Sequence, residues 1–406
     1  RHARSGRPGP VFLDIPTGVM ENAVEGEVTA FSPSPSATAR SVADPSQLKI
    51  AVEMLSRAER PLAIAGSGVW WSGAGEALRR FIGATQVPLL LSMMGRGAVP
   101  EDHPLCFGPL RVGCREADVI LVVGARLNNW LGKGRPPLFG TGQRWVQVDI
   151  EAEEIGRNRP IDLALVGDAR ETLLEMTRLA TGKDWGRNPS WLEELRKQAR
   201  ERRERMQGEL TSDKVPIHPL RLCQEIQSFV ARDATLITDG GDIAVFGGMA
   251  LRVFEPGHWM DQANLGLLGS GIPFGLAAKL ARPDKQVLVL IGDGSFGLNG
   301  MEMDTAVRHH LPIVVVVGND AAWGMIKHRQ EIIYGPERVV GTELRLTHYE
   351  EVVRALGGYG EYVERPQDIR PALERAFASG LPACINVATD PTVVSPLTRR
   401  TAAVRG

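Results

Sequence analysis

Two acids stand where metal chemistry could be done. Asp293 ends the apolar run QVLVLIGDG, and Asp320 ends a second run, LPIVVVVGND. Short apolar runs bounded by glycine read as buried strands, and GMEMDTAVRHH between them as a helix. Both carboxylates then fall at strand ends of one β-α-β unit, and ligands of an open parallel sheet bind at the carboxyl ends of its strands. A hard divalent cation takes oxygen ligands in octahedral geometry and often bridges carboxylates to a diphosphate. Asp293 and Asp320 could therefore share one Mg²⁺, with Gly294 and Ser295 letting a diphosphate come close and a helix N-terminus offering N–H donors. The spacing suits two ordinary helix-capping or loop acids equally well. Asp239 ends a further strand, ATLITDGG.

The elements around these acids alternate. From Gln47 a helical pattern, QLKIAVEMLSRAER, leads into PLAIAGSG, a buried strand. Helix GEALRRFIGATQ, strand VPLLLS, a helix near CREA, and strands DVILVVGARL and RWVQVDI follow. A second series runs from PIHPLRLCQEIQSFV through QVLVLIGDG and PIVVVVGND to the strand PACINVAT. Strands alternating with helices predict an α/β protein with two doubly wound parallel, Rossmann-like sheets. Residues 41–179 are expected to form a central domain and residues 215–397 the domain bearing the acids. Between them, 180–214 is dense in both charge signs and predicts a solvated connecting helix with i,i+4 pairs. Residues 21–40 hold the Pro/Ser-rich FSPSPSATARS and read as a linker, and 398–406 as a tail. Ahead of the linker, GPVFLDIP within residues 1–20 is strand-like, and its partners must lie elsewhere.

Composition narrows the class. The chain has 406 residues, 43 % of them hydrophobic and 23 % charged, with a formal net charge of −1. Without a Lys/Arg-rich block or a positive field, a nucleic-acid partner is not expected. The apolar run at Leu311–Val317 is far too short to span a bilayer, so no membrane partner is expected either. Four scattered cysteines without a C-x-x-C pair suggest neither zinc nor a disulfide framework and fit a reducing cytoplasm. No strand is followed by a full G-x-G-x-x-G, which disfavours a nicotinamide-dependent oxidoreductase.

GDGSF followed by ND resembles the thiamine-diphosphate fingerprint of the superfamily of acetolactate synthase, 2-hydroxyacyl-CoA lyase and oxalyl-CoA decarboxylase, which usually carries NN at the second position. The resemblance runs over essentially the whole chain. GRPGPVFLDIP is similar to the last strand of that superfamily's pyrimidine-binding domain, 41–179 to its central domain, and 215–397 to its diphosphate-binding domain. It implies thiamine diphosphate and Mg²⁺ as cofactors, with Asp293, Asp320 and the carbonyl of Ala322 as metal ligands. Asp320 in place of the usual Asn keeps the oxygen and adds a charge, which bears on metal affinity and its pH dependence. TDGGDI resembles the diphosphate loop and implicates Gly240, Gly241 and Asp242. NLGLLGSG resembles the segment under the aminopyrimidine, where Gly266 would bond the ring and Leu268, unless a plain core leucine, would bend the cofactor. Trp323 beside the metal loop is either pocket lining or packing.

The branch within the superfamily is divided. SMMGRGAVPEDHP, GARLNNWLGKGRPPLFG and QVDIEAEEIGRN resemble the acyl-CoA branch, whereas AAWGMIKHRQEIIYG is closer to the acetolactate-synthase pattern. A 2-hydroxyacyl-CoA or 2-keto acid is thus the small-molecule substrate class implied. The acyl-CoA resemblance also allows an ADP- or CoA-type nucleotide, or FAD, in the central domain at Gly66, Ser67, Gly68, Arg126 and Asp149; many such domains hold no ligand. His309 and His310 read as helix-dipole partners, while His258, His328 and His348 are unselected pocket candidates. The superfamily's catalytic Glu belongs to the pyrimidine domain, so no catalytic residue is assigned, and the chain alone is expected to be inactive. A non-catalytic binding or regulatory subunit is the reading of another class. Family members pair domains across subunits, which implies a homodimer or homotetramer.

Overall fold

The computed structural model describes residues 2–23, 25–26, 40–185, 188–262 and 265–403. Most of the linker expected at 21–40, and Asn264 of the NLGLLGSG segment, lie outside the described residues. Helix α1 (Thr17–Glu21) buries nothing. The run expected as a strand before it is extended but pairs with no described strand, and Phe12 and Leu13 are 90 % and 76 % exposed. A strand needs a ladder partner, and neither sheet supplies one.

The first sheet begins after α2 (Pro45–Ser56), whose N-cap Asp44 accepts the amides of Ser46 and Gln47 and so satisfies two of the helix's orphan donors. Strand β1 (Pro61–Ala65) leads into α3 (Ser67–Trp71) and α4 (Gly75–Thr85), then β2 (Leu89–Leu91), β3 (Val119–Val123), β4 (Arg144–Asp149) and β5 (Leu163–Val166). The strand order is β2-β1-β3-β4-β5, all parallel. Leu48 of α2, Phe81 of α4 and Leu173 of α5 (Ala169–Ala180) cover one face. No helix forms near CREA, where Gly113 is left-handed (φ 68) and a Cβ would lie 2.3 Å from Leu195.

Helix α6 (Pro189–Leu210) carries the charge-rich connection but is not simply solvated. Trp191 and Leu195 pack into the other face of the first sheet, and Met206 and Leu210 against the second core. Each fully buried side chain of this size contributes about 1.5–3 kcal/mol, enough to seat a helix that is polar elsewhere.

The second sheet opens with α7 (Pro219–Phe229), β6 (Thr235–Asp239), α8 (Asp242–Ala250), β7 (Trp259–Met260) and α9 (Gly271–Ala281). Then come β8 (Val287–Gly292), α10 (Asp293–Asn299), α11 (Glu302–Arg308), β9 (Val314–Asn319) and α12 (Gly324–Tyr334). Helix α13 (Tyr349–Ala355), β10 (Tyr359–Val363), α14 (Ile369–Ala378) and β11 (Ala383–Ala388) complete the sheet, in the parallel order β10-β11-β9-β8-β6-β7. Leu222, Phe246 and Leu373 cover one face, and Ile272, Met303 and Val353 the other. Residues expected as a tail instead begin within a helix, α15 (Pro396–Ala403), with Thr398 and Ala402 buried.

A buried ion pair of the first domain contacts the second. Arg96, 2 % exposed, meets Glu101 at 2.6 and 2.8 Å, donates to the carbonyl of Leu251 at 2.5 Å and lies 4.0 Å over the Trp259 ring. Glu101 also accepts the amide of Val253. Between the domains lies a cavity of about 770 Å³.

Candidate active site

Sheet register places the acids. Asp239 pairs with Ile291 and Gly292 with Gly318, so β6, β8 and β9 end at one level facing the cavity. Asp293 opens α10 and is 2 % exposed, its carboxylate accepting the amides of Gly294 at 2.8 Å and Ala322 at 3.1 Å. Burial, and then the charge of Asp320, pushes its carboxyl well above the usual range. Burial also raises Asp320, with His328 opposing. Neither acid forms an ion pair with Lys or Arg among the described residues. Two buried like charges without a cation are costly.

The loop after β9 is shaped by Asn319, whose side chain bonds Asn386 and the carbonyl of Thr347 and accepts the amide of Ala321. Ala321 is left-handed (φ 54), which turns Asp320 back over Gly324. A Cβ on Gly324 would lie 2.3 Å from Asp320 Oδ2. Among the described residues no cluster of three or more His, Cys, Asp or Glu side chains is placed to hold a metal. A cation at Asp293 and Asp320 would need further oxygens from a backbone carbonyl and from its ligand. That donor set fits Mg²⁺, which keeps few protein carboxylates and shares phosphate oxygens.

The glycine loop after β6 is close-packed. Gly240 (φ 113) touches the Gly292 backbone, and a Cβ on Gly241 would meet Met325 Cβ at 2.7 Å. Asp242 lines the cavity, but its carboxylate is taken: His328 Nδ1 lies 2.7 Å away, and Thr398 donates at 2.6 Å. Burial pushes Asp242 up, yet the bonds from His328, Ser395 and Thr398 outweigh it and hold it below the carboxylate range. Asp239 binds the start of α9 through the amides of Gly269 and Gly271. Ser295 donates to Asp239 and lines the cavity beside Gly294. Gly266 (φ 63) and half-buried Leu268 also line it.

Trp323 both lines the cavity and packs, since a Cβ on Gly294 would come within 2.7–3.0 Å of three of its ring atoms. Gly294→Ala is therefore expected to displace the ring at a cost of about 1–3 kcal/mol. Thermal melting should show it, and an unchanged midpoint would refute the contact.

The five nucleotide candidates do not line the cavity. Cβ atoms on Gly66 and Gly68 would strike Ala125 and Gly124 at 2.6 Å, so the space their missing side chains leave is filled by the loop after β3 rather than open to a phosphate. Ser67 begins the short α3, Arg126 lies 3.6 Å from Glu154, and Asp149 is driven up by burial while accepting the amide of Glu151. Of the histidine candidates, only His328 reaches the cavity wall, through Asp242; His258 and His348 do not line it. Sequence reading passed over Arg111, Arg202, Arg205 and Arg400, which line the cavity from three separate segments.

Parallel strand ends thus gather a glycine loop, two carboxylates and a helix start at one wall of the cavity. Comparison with known proteins gives the family. Residues 48–176 match the central domain of thiamine pyrophosphate enzymes, and 239–387 match their C-terminal TPP binding domain. A probable acetolactate synthase of Mycobacterium bovis is 41 % identical over 403 residues, covering 97 % of this chain and 71 % of its own length. An acetolactate synthase large subunit of Mycobacterium tuberculosis matches to the same extent. A 2-hydroxyacyl-CoA lyase of Oryza sativa subsp. japonica is 34 % identical over 95 % of this chain and 70 % of its own. The chain belongs to the thiamine pyrophosphate-dependent enzymes. No described helix is long and apolar enough to cross a membrane.

Proposed function

We propose that this protein is a C–C bond lyase, carboligase or decarboxylase for 2-hydroxyacyl-CoA or 2-keto-acid substrates, with Mg²⁺ held by Asp293, Asp320 and the carbonyl of Ala322. The observation that carries this reading is buried Asp293 beside half-buried Asp320 at adjacent strand ends, neither paired with Lys or Arg among the described residues. When bound, thiamine diphosphate supplies the carbon that adds to a carbonyl and the ring that takes up electrons from the breaking bond. The chain's own residues hold and shield it. Gly240 and Gly241 keep the loop low, the backbone amides at the start of α8 and α10 would bind the diphosphate, and Trp323 and Leu268, which line the cavity, would exclude water. An acetolactate-synthase-like condensation of two 2-keto acids is the second reading, favoured by the 41 % identical relatives.

Thermal melting tests the proposal. Thiamine diphosphate with Mg²⁺ should raise the midpoint, reaching about 2.7 kcal/mol of stabilisation at a hundredfold excess over Kd, and neither component alone should do so. A response to NAD instead would support an oxidoreductase, and no response to either a binding or regulatory subunit. We further propose a homodimer or homotetramer. Leu265, Leu267 and Met301 are 92 %, 65 % and 65 % exposed, and apolar surface of that kind suits a subunit contact. Light scattering giving a single 44.1 kDa species at all concentrations would refute it.

A further inference from the structure

The cavity between the domains has two electrical characters. Asp293 and Asp320 stand at one part of its wall. Four arginines from unrelated segments line another: Arg111 in the turn after β2, Arg202 and Arg205 on α6, and Arg400 on α15. Among the described residues none of the four forms an ion pair with a carboxylate. Arg202 is bonded to the carbonyl of Leu110, and the cavity's fifth arginine, Arg96, is already satisfied by Glu101. Burial, and after it the charges of Arg400 and Arg202, push the Arg111 guanidinium down to about 10. Arg202 is depressed the same way, by burial and, among other charges, that of Arg205.

Gathering like charges in a partly desolvated cleft costs free energy unless a counter-charge arrives. The acids of the metal corner would not supply it where, as proposed, a divalent cation takes them. The fold nevertheless keeps the arginines together at some strain. Arg111 is held in the left-handed region (φ 55), which a non-glycine residue adopts at a cost. Arg400 rides on α15, which is pinned to the cofactor loop by the bond from Thr398 to Asp242.

We infer that Arg111, Arg202, Arg205 and Arg400 form an anion site that takes an oxyanion of the substrate, beside but separate from the metal corner. That the anion belongs to a substrate rests on the proposed function. Guanidinium forks match carboxylate and phosphate oxygens bidentately, so a 2-keto acid's carboxylate or the phosphates of a coenzyme A thioester could each fill it. Four positive charges are far from balanced by one carboxylate, and charge counting favours the phosphates.

Calorimetric titration of the chain with adenosine 3′,5′-bisphosphate, and separately with pyruvate, tests this. Binding to the wild-type chain should weaken by about tenfold or more in Arg111→Gln and in Arg400→Gln, and should fall steeply with salt. Arg203→Gln, on the same helix as Arg202 but outside the cavity lining, should leave it within about twofold. Arginine-dependent binding of the bisphosphate identifies a thioester as the source, and of pyruvate alone a keto acid; either supports the site. Failure of both anions to discriminate wild type from the cavity variants overturns it, as does an equal loss in Arg203→Gln. Should Arg111→Gln fail to fold, the exposed Arg400 gives the reading instead. Thermal shift with thiamine diphosphate and Mg²⁺ on the same samples separates the two claims. Arginine-dependent anion binding without a cofactor response would count against the proposed metal-diphosphate site and keep the anion site.

Discussion

Asp293→Ala is expected to abolish the Mg²⁺-dependent response to thiamine diphosphate. Changing only the residues that hold a metal's ligands in place costs about ten- to a hundredfold in metal affinity, so removing a ligand should cost more than about a hundredfold. The metal-free chain should lose little, because the two amide bonds given up at Asp293 are offset by relief of its repulsion with Asp320. The pH dependence follows from the direction of the shift. Asp293 is raised from 3.8 to about 7 by burial and by Asp320, so the folded chain holds that proton more tightly than the unfolded one. The stability this group contributes is complete below its unfolded value and is lost as pH rises through about 7. Mg²⁺ needs the ionised form, so cation stabilisation should grow over the same interval. Asp320→Asn should flatten both trends. Melting curves of wild type and Asp320→Asn between about pH 5 and 8, with and without Mg²⁺, check this; parallel curves would show that the two acids do not share a cation.

Why the acids were legible in the sequence and the arginines were not is a matter of locality. Asp293 and Asp320 each end a strand, so the apolar run beside them announces both the element and the position within it. The strand order then needs only parallel pairing to bring them together. Arg111, Arg202 and Arg400 meet because α6 bridges both cores and α15 folds back onto Asp242. Neither event has a local signature. The charge run of α6 reads as solvated, since three buried residues, Trp191, Leu195 and Ala199, are sparse against its many charges. The glycines at 66 and 68 admit two uses. A G-x-G after a strand suits a phosphate, and here it also suits the close passage of Gly124, a contact with no local signature. The run at Val11–Ile15, whose partners were expected elsewhere, pairs with none of the described strands, and a strand-like sequence forms a strand only where a neighbour offers a ladder.

The largest stability effect is expected at the domain junction. Glu101→Ala leaves the Arg96 guanidinium 2 % exposed without its carboxylate, and breaking one partner of a buried pair costs about 3–5 kcal/mol. The remaining bonds from Arg96 to the carbonyls of Leu251 and Gly248 satisfy donors but do not neutralise charge. Arg96→Met with Glu101→Leu removes both charges and should recover most of the loss, because desolvating two ions costs nearly as much as their attraction returns. Urea unfolding of the three chains distinguishes this from simple loss of packing. If Glu101→Ala lies within about 1 kcal/mol of wild type, the pair is not isolated from solvent in the way its burial implies. If the single variant is weak and the double is weaker still, side-chain volume rather than charge holds the domains together. Function is then coupled to this junction as well: the cavity takes the Arg96 side chain on one wall and the α8 loop on another, so a chain whose domains part should lose anion binding and metal-dependent cofactor stabilisation together.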